Sequence, residues 1–147
     1  KWTGIYNIDP HDLFLCSSQT GTEPVIVELA MNAKKHGHKL VAVISQKASD
    51  ANKALHPSGK KLADIADLVI DTGSDWPDTA VDLDGTHKVG QLNSICGNVI
   101  AQMITAETYR LLKNTDRDCP VLLSANVKDA DIHNHQISDK YAGRWNS

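Results

Sequence analysis

The segment Cys16-Ser17-Ser18-Gln19-Thr20-Gly21-Thr22-Glu23-Pro24 holds the residue types and spacing best suited to chemistry. Ser17, Ser18, Thr20 and Thr22 supply hydroxyls around one glycine, with no lysine or arginine among them. Hydroxyls donate hydrogen bonds without adding charge. Gly21 lets the backbone approach a ligand closely and adopt a conformation closed to other residues. If a helix starts at Pro24, its unpaired N–H groups and the positive end of its dipole join the same cradle. Such a cradle suits an anion, above all a phosphate ester that must be released again. Ser and Thr also cap helices and form turns in any protein, so composition leaves capping and binding equally open. Neither G-x-G-x-x-G nor G-x-x-x-x-G-K-[ST] is present, which disfavours dinucleotides and nucleoside triphosphates. Ser58-Gly59-Lys60-Lys61 lacks the upstream glycine and preceding strand of the second pattern. It reads as the start of a short helix running through Leu62 and Ile65.

Four continuous apolar runs must position that cradle: Leu13 to Cys16, Leu40 to Ile44, Leu68 to Ile70, and Val121 to Leu123. Continuous rather than alternating runs suit strands covered on both faces, as in a parallel sheet. Between the first two, Val25, Ile26, Leu29, Ala30 and Ala33 keep helical spacing over Pro24 to His36. Thr22 is placed to cap this helix, Pro24 sits in its first turn, and Gly37 closes it. A longer helix is predicted over Leu92 to Leu112, with Leu92, Cys96, Val99, Met103, Ala106 and Tyr109 in period. A last amphipathic stretch covers Ile132 to Tyr141, and Gly73 to Lys88 reads as a loop. The alternation predicts an α/β fold with a mostly parallel sheet and helices on both faces. The cradle then falls at the carboxyl end of the first strand, where ligands bind in such sheets.

The chain has 147 residues, 41% of them hydrophobic and 22% charged, which predicts one globular domain over residues 1–147. Its net charge of -3 disfavours a nucleic-acid partner, which normally requires a basic face. No apolar run approaches the length of a membrane span. Cys16, Cys96 and Cys119 form no C-x-x-C pair and read as reduced, mostly buried thiols of a cytoplasmic protein. No cofactor is expected.

Three other constellations compete. Asp71-Thr72-Gly73-Ser74 matches the aspartic-protease D-T-G-[ST] pattern, but that chemistry needs two carboxylates sharing a proton. A strand end followed by a glycine turn explains it better, leaving the protease a distant rival. Asp129, Asp131, His133 and His135 fall within seven residues, yet His133 and His135 point to different faces of a helix, so no metal site is expected. Glu28, His87 and His133 are the available groups for proton transfer, and none stands out as a base.

Beyond the individual residues, Ser18-Gln19-Thr20-Gly21-Thr22-Glu23 resembles the S-x-[ST]-G-x-[ST] signature of the sugar isomerase (SIS) domain family. Val41 to Ser45, His56-Pro57-Ser58-Gly59-Lys60-Lys61-Leu62, Ala66 to Asp71, Lys88-Val89-Gly90 and Ser124-Ala125-Asn126 extend the likeness over most of residues 9–142. As an ordered series they resemble a bacterial phosphoheptose-isomerase-like branch. The resemblance implies a flavodoxin-like fold that binds a sugar phosphate and forms a homodimer or higher homo-oligomer. It places phosphate on Ser18, Thr20 and Gly21 with Gln19 alongside, and sugar contacts near Gln91, Asn93 and Ser94. Asp131, His133 and Asn134 are implied for a sugar-facing wall or a subunit interface. Glu23 stands where the family has its second hydroxyl. A carboxylate there opposes a dianion unless it points away or binds a sugar hydroxyl, and Thr22 can take over one residue earlier. The family begins with a further strand and a Gly/Ser-rich turn before the first apolar run seen here, so a missing N-terminal segment is expected. Two functions are open: an aldose–ketose isomerase of the phosphoheptose type, and a non-catalytic sugar-phosphate sensor.

Overall fold

The computed structural model describes residues 8–115 and 117–143. They fall into two compact units, Pro10–Ile104 and a second made of the described residues before Pro10 and from Thr105 onward. The first unit is built on three parallel strands, β1 (Leu13–Ser17), β2 (Lys39–Ile44) and β3 (Leu68–Asp71), in the order β1-β2-β3. Helix α1 (Pro24–Lys35) joins β1 to β2. Leu15 pairs with Val41 and Ser17 with Val43, so these alternate residues share one face. Leu40, Ala42 and Ile44 take the other face and form the core with Ala30 and Leu62; Phe14, Cys16 and Val69 pack against it. Fully burying a side chain such as Leu40, Ile44 or Leu62 contributes roughly 1.5–3 kcal/mol, against about 0–1 kcal/mol for a surface ion pair. The central strand therefore holds this unit together.

Helix α1 has the predicted extent, and of its five periodic residues Ala30 and Ala33 are buried and Ile26 packs against the core. Val25 is 69% and Leu29 44% exposed, whereas Val27, Ala30 and Ala33 are buried. The small alanines let the helix lie against β2, Val27 joins the buried set, and Val25 and Leu29 are left outside. At its far end the helix is tied to the sheet through Asp67. Lys34 Nζ lies 2.7 Å from Asp67 Oδ1 and Oδ2, and the Leu40 N–H donates to Oδ2 at 2.8 Å. The Lys34 hydrogen bond, with the Leu40 N–H next, holds the Asp67 carboxyl below the usual carboxylate range. Because the folded value is depressed, the stabilisation is present above the ordinary carboxylate pKa and is lost as pH falls through the folded value. Asp67→Asn is therefore expected to flatten the acid limb of a stability–pH curve without moving its alkaline limb. Urea midpoints measured from pH 2 to 8 check this; an unchanged acid limb refutes it.

Helix α2 (Gln46–Ala51) begins at Ser45, whose hydroxyl accepts the Ala48 N–H at 3.1 Å. The helix predicted from Ser58 to Ile65 is only a 3-10 turn, Leu62–Asp64. Its N–H groups are otherwise engaged: Ser58 N–H donates to His56 Nδ1, Lys60 N–H to Ser58 Oγ, and Leu62 N–H to the Gly21 carbonyl. The loop predicted over Gly73 to Lys88 contains a strand, β4 (Thr79–Asp82), which pairs antiparallel with β5 (Lys88–Gln91). The Asp and Gly residues that suggested loop are its turn. Asp82 Oδ1 accepts the N–H groups of Asp84 and Gly85, and Asp84 Oδ1 those of Thr86 and His87.

Helix α3 (Leu92–Lys113) matches the predicted span. Its periodic apolar set turns outward, however: Val99 is 53% and Met103 64% exposed. Asn93, Gly97, Ile100 and Ile104, at the same period but a different phase, face a cavity whose other wall includes Leu15, Ser17 and Val43. With α1 against the Leu40–Ile44 face and α3 toward the Ser17–Val43 face, the first unit is an α/β layer with helices on both faces.

In the second unit, α4 (Ala130–Tyr141) covers the predicted amphipathic stretch. Val121 to Leu123 is not a strand. The Asn134 side chain takes both backbone groups of Leu123, accepting its N–H and donating to its carbonyl, each at 2.8 Å. A side-chain amide thus does what a neighbouring strand would do. Cys16, Cys96 and Cys119 are free thiols and only partly buried, so the expectation of mostly buried cysteines is too strong. Burial pushes the Cys16 thiol pKa up. Among the described residues no helix is long and apolar enough to cross a membrane.

Candidate functional site

The hydroxyl-rich segment leaves β1 at its carboxyl end and is held from three sides. Ser18 N–H donates to the Val43 carbonyl and Ser45 N–H to the Gln19 carbonyl, both at 3.0 Å. Leu62 N–H reaches the Gly21 carbonyl at 2.8 Å, and Leu55 N–H the Thr22 carbonyl at 3.3 Å. Gly21 has φ +65°, and a β-carbon there would stand 2.9 Å from Leu62 Cβ. Glycine is thus required twice, by conformation and by space.

The side chains then converge on one group, the Glu23 carboxylate. Ser18 Oγ donates to Glu23 Oε2 at 2.8 Å and Thr20 Oγ1 to Oε1 at 2.9 Å. Ser18 Oγ also accepts the Gly21 N–H, and Thr20 Oγ1 accepts the Thr22 N–H. Thr20 and Thr22 hydroxyls lie 2.7 Å apart. Because the Thr20 proton goes to Glu23, the Thr22 hydroxyl is the donor of that pair. Partial burial pushes the Glu23 pKa up, but the Ser18 and Thr20 hydroxyls and the N–H groups of Glu23 and Thr22 outweigh it, and the net shift is downward. The expected cap is corrected here. Glu23, not Thr22, occupies the position before α1, and no side chain caps the helix. Nor does Glu23 point away from the cradle; it fills it.

Beside Ser18 opens a cavity of about 440 Å³. Ser17, Ser18, Asn93, Ser94 and Asn98 give it polar walls, and Leu15, Val43, Ile100 and Ile104 an apolar one. Asn93 is fixed from two sides: its N–H donates to Asp78 Oδ1 at 2.7 Å, and its Oδ1 accepts from Thr72 Oγ1 at 3.2 Å. Of the predicted sugar contacts, Asn93 and Ser94 line this space; Gln91 is exposed and accepts the Ser94 hydroxyl at 3.3 Å. Gly97 and Asn98 were invisible as site residues. The signal available for them is their i+4 spacing from Asn93 and Ser94 on a helix, which puts them on the same face.

The candidates for proton transfer are scattered. Glu28 Oε2 lies 3.1 Å from His56 Nε2, whose Nδ1 lies 2.7 Å from Ser58 Oγ, and none of these lines the cavity. His87 belongs to the β4–β5 turn, with Nδ1 2.8 Å from Asp84 Oδ2. In the second unit, His133 Nε2 sits 2.9 Å from the Val121 carbonyl, while Asp131 and His135 are exposed. No three His, Cys, Asp or Glu side chains converge to hold a metal among the described residues. Asp71 ends a parallel strand and accepts the N–H groups of Gln46 and Gly73, each at 3.0 Å. Those bonds lower its pKa and make it a turn carboxylate rather than half of a protease dyad.

Comparison with known proteins fits this geometry. Residues 3–45, which include β1, the cradle and α1, match the family model described as SIS domain. Over 139 residues the chain is 33% identical to a UPF0309 protein of Listeria monocytogenes serotype 4b, covering 94% of this chain and 56% of that protein. A UPF0309 protein of Halalkalibacterium halodurans is 31% identical over 142 residues, covering 96% of this chain and 58% of its own length. The chain therefore spans just over half the length of these curated relatives. Their names carry the number UPF0309 rather than that of a phosphoheptose isomerase. The chain is an α/β protein with SIS-domain sequence at its cradle and UPF0309 proteins as homologues.

Proposed function

We propose that this chain binds a sugar phosphate, with the phosphoryl group in the Ser18–Thr22 cradle and the sugar in the adjoining cavity. The observation that carries the reading is the pair of hydroxyl donors, from Ser18 and Thr20, aimed at a single anionic group, the Glu23 carboxylate. Donors so arranged hold negative charge at a helix N-terminus without a cation, which suits release as well as capture. The cavity lies within the usual range for small-molecule sites, and its mix of amide, hydroxyl and aliphatic walls matches the two faces of a sugar. Isomerisation of the phosphoheptose type is the finer reading, and it needs a base beside C1 and C2 of the sugar. Among the described residues lining the cavity none is an acid or a base. That favours binding without turnover by these residues alone.

The test is thermal stability with sedoheptulose 7-phosphate, fructose 6-phosphate and amino-sugar phosphates, with NMR of the sugar protons for turnover. A ligand at a hundred times its Kd is expected to add about 2.7 kcal/mol. Ser18→Ala combined with Thr20→Ala should abolish that response while leaving the unliganded protein folded. A double variant that responds as the parent does would reduce these residues to turn formers. Turnover of any of the sugars would establish the isomerase.

A further inference from the structure

We propose that Glu23 is an internal ligand of the cradle, a carboxylate that must leave before a phosphate ester can enter. The inference rests on the sugar-phosphate reading above and adds to it how the site is regulated. Its basis is donor capacity. Ser18 has one hydroxyl proton, and it is given to Glu23 Oε2; Thr20 has one, and it is given to Glu23 Oε1. The Thr22 proton goes to Thr20 Oγ1. With Glu23 in place the hydroxyl protons of Ser18, Thr20 and Thr22 are all committed, two of them to the carboxylate. A phosphate cannot share these donors; it can only exchange with the group that holds them. Two negative charges in one half-buried seat also repel.

The exchange replaces one anion by another, so the donors remain satisfied in both states. A second observation marks a donor without an internal partner in the same turn. Gln19 Nε2 is buried and makes no hydrogen bond. Glu23 does not accept from it, and a buried donor of this kind calls for an acceptor that the additional oxygens of a phosphoryl group could supply. The turn therefore holds a buried donor that its own carboxylate does not satisfy.

Occupancy sets the size of the effect. If Glu23 fills the seat about nine-tenths of the time, apparent phosphate affinity falls roughly tenfold. The probe is inorganic phosphate, added to the parent protein, to Glu23→Ala and to Glu23→Gln at constant ionic strength and pH 7.5. Glu23→Ala should bind at least about tenfold more tightly than the parent. Glu23→Gln, which keeps the shape but not the charge, should fall between them. In the parent, the Glu23 side-chain carboxyl carbon, followed by NMR, should move toward its solvent-exposed shift as phosphate saturates. Parent binding with no gain in Glu23→Ala, or an unmoved carboxyl carbon at saturation, overturns the exchange and leaves the cradle intact as a phosphate site. Absence of phosphate binding in all three proteins overturns the sugar-phosphate reading and the exchange together. Loss of binding in Glu23→Ala alone would show that the carboxylate helps hold the ligand and would equally refute the proposal.

Discussion

Gly21→Ala is expected to destabilise the first unit by about 2–4 kcal/mol. Two costs add. At φ +65° an L-residue pays roughly 1–2 kcal/mol in backbone strain, and its methyl group would meet Leu62 Cβ at 2.9 Å. Gly37 supplies the control, because it has φ +85° with nothing within 4 Å of its absent β-carbon. Gly37→Ala should therefore show the strain alone. The clash is with a Cβ, not with the flexible end of a chain, so adding Leu62→Ala to Gly21→Ala cannot relieve it. Urea melts of the two single variants and the double variant decide the matter, provided m stays constant. Equal losses at Gly21 and Gly37 would mean that Leu62 yields and that the cradle is softer than its hydrogen bonds suggest. Rescue by Leu62→Ala would refute the account outright.

The same corner shows what could be read from residue order and what could not. The strands at Leu13, Leu40 and Leu68 are legible because continuous apolar runs have few alternatives once turn residues bound them. The place of the cradle follows from that, since a β1–turn–α1 junction in a parallel sheet lies at the ligand-binding end. Helix phase was legible only in part, for Ile26, Ala30 and Ala33 of α1. In α1 and α3 two apolar stripes compete: Val27 rather than Val25 is buried in α1, which lies against β2, and Ile100 rather than Val99 lines the cavity in α3. Ala30 and Ala33 are buried in α1 because they are small, which hydrophobicity does not register. Val121 to Leu123 failed as a strand for another reason: Asn134, eleven residues away from Leu123, satisfies its backbone through a side chain. Glu23 was legible as a departure from the hydroxyl pattern, but its direction was not. Whether a carboxylate turns from the helix N-terminus or into it depends on donors three and five residues earlier, and only their folded geometry shows that both point inward.

Leu62→Ala should be among the most costly single truncations in the first unit, at roughly 2–5 kcal/mol. Leu62 is 0% exposed and packs with Leu40, Ala42, Ile44 and Ala30, so the residues left behind form a cavity wall on the sheet's central strand. Its N–H to the Gly21 carbonyl survives the change, because only the side chain is shortened. Leu29→Ala is the matched control: the same chemistry on α1, but at a side chain that is 44% exposed, with an expected loss below about 1 kcal/mol. The pair separates packing from connectivity. Helix propensity favours alanine over leucine slightly, which lowers the Leu29 cost further and cannot explain a large Leu62 cost in a 3-10 turn. The Glu23 carboxyl carbon should keep its pH profile in Leu62→Ala, since Ser18 and Thr20 hold it through bonds this variant leaves alone. A profile displaced upward would mean that the floor beneath Gly21, rather than the turn's own hydrogen bonds, sets the direction of the hydroxyls. Equal losses at Leu62 and Leu29 would place the core elsewhere than on the Leu40–Ile44 face of β2.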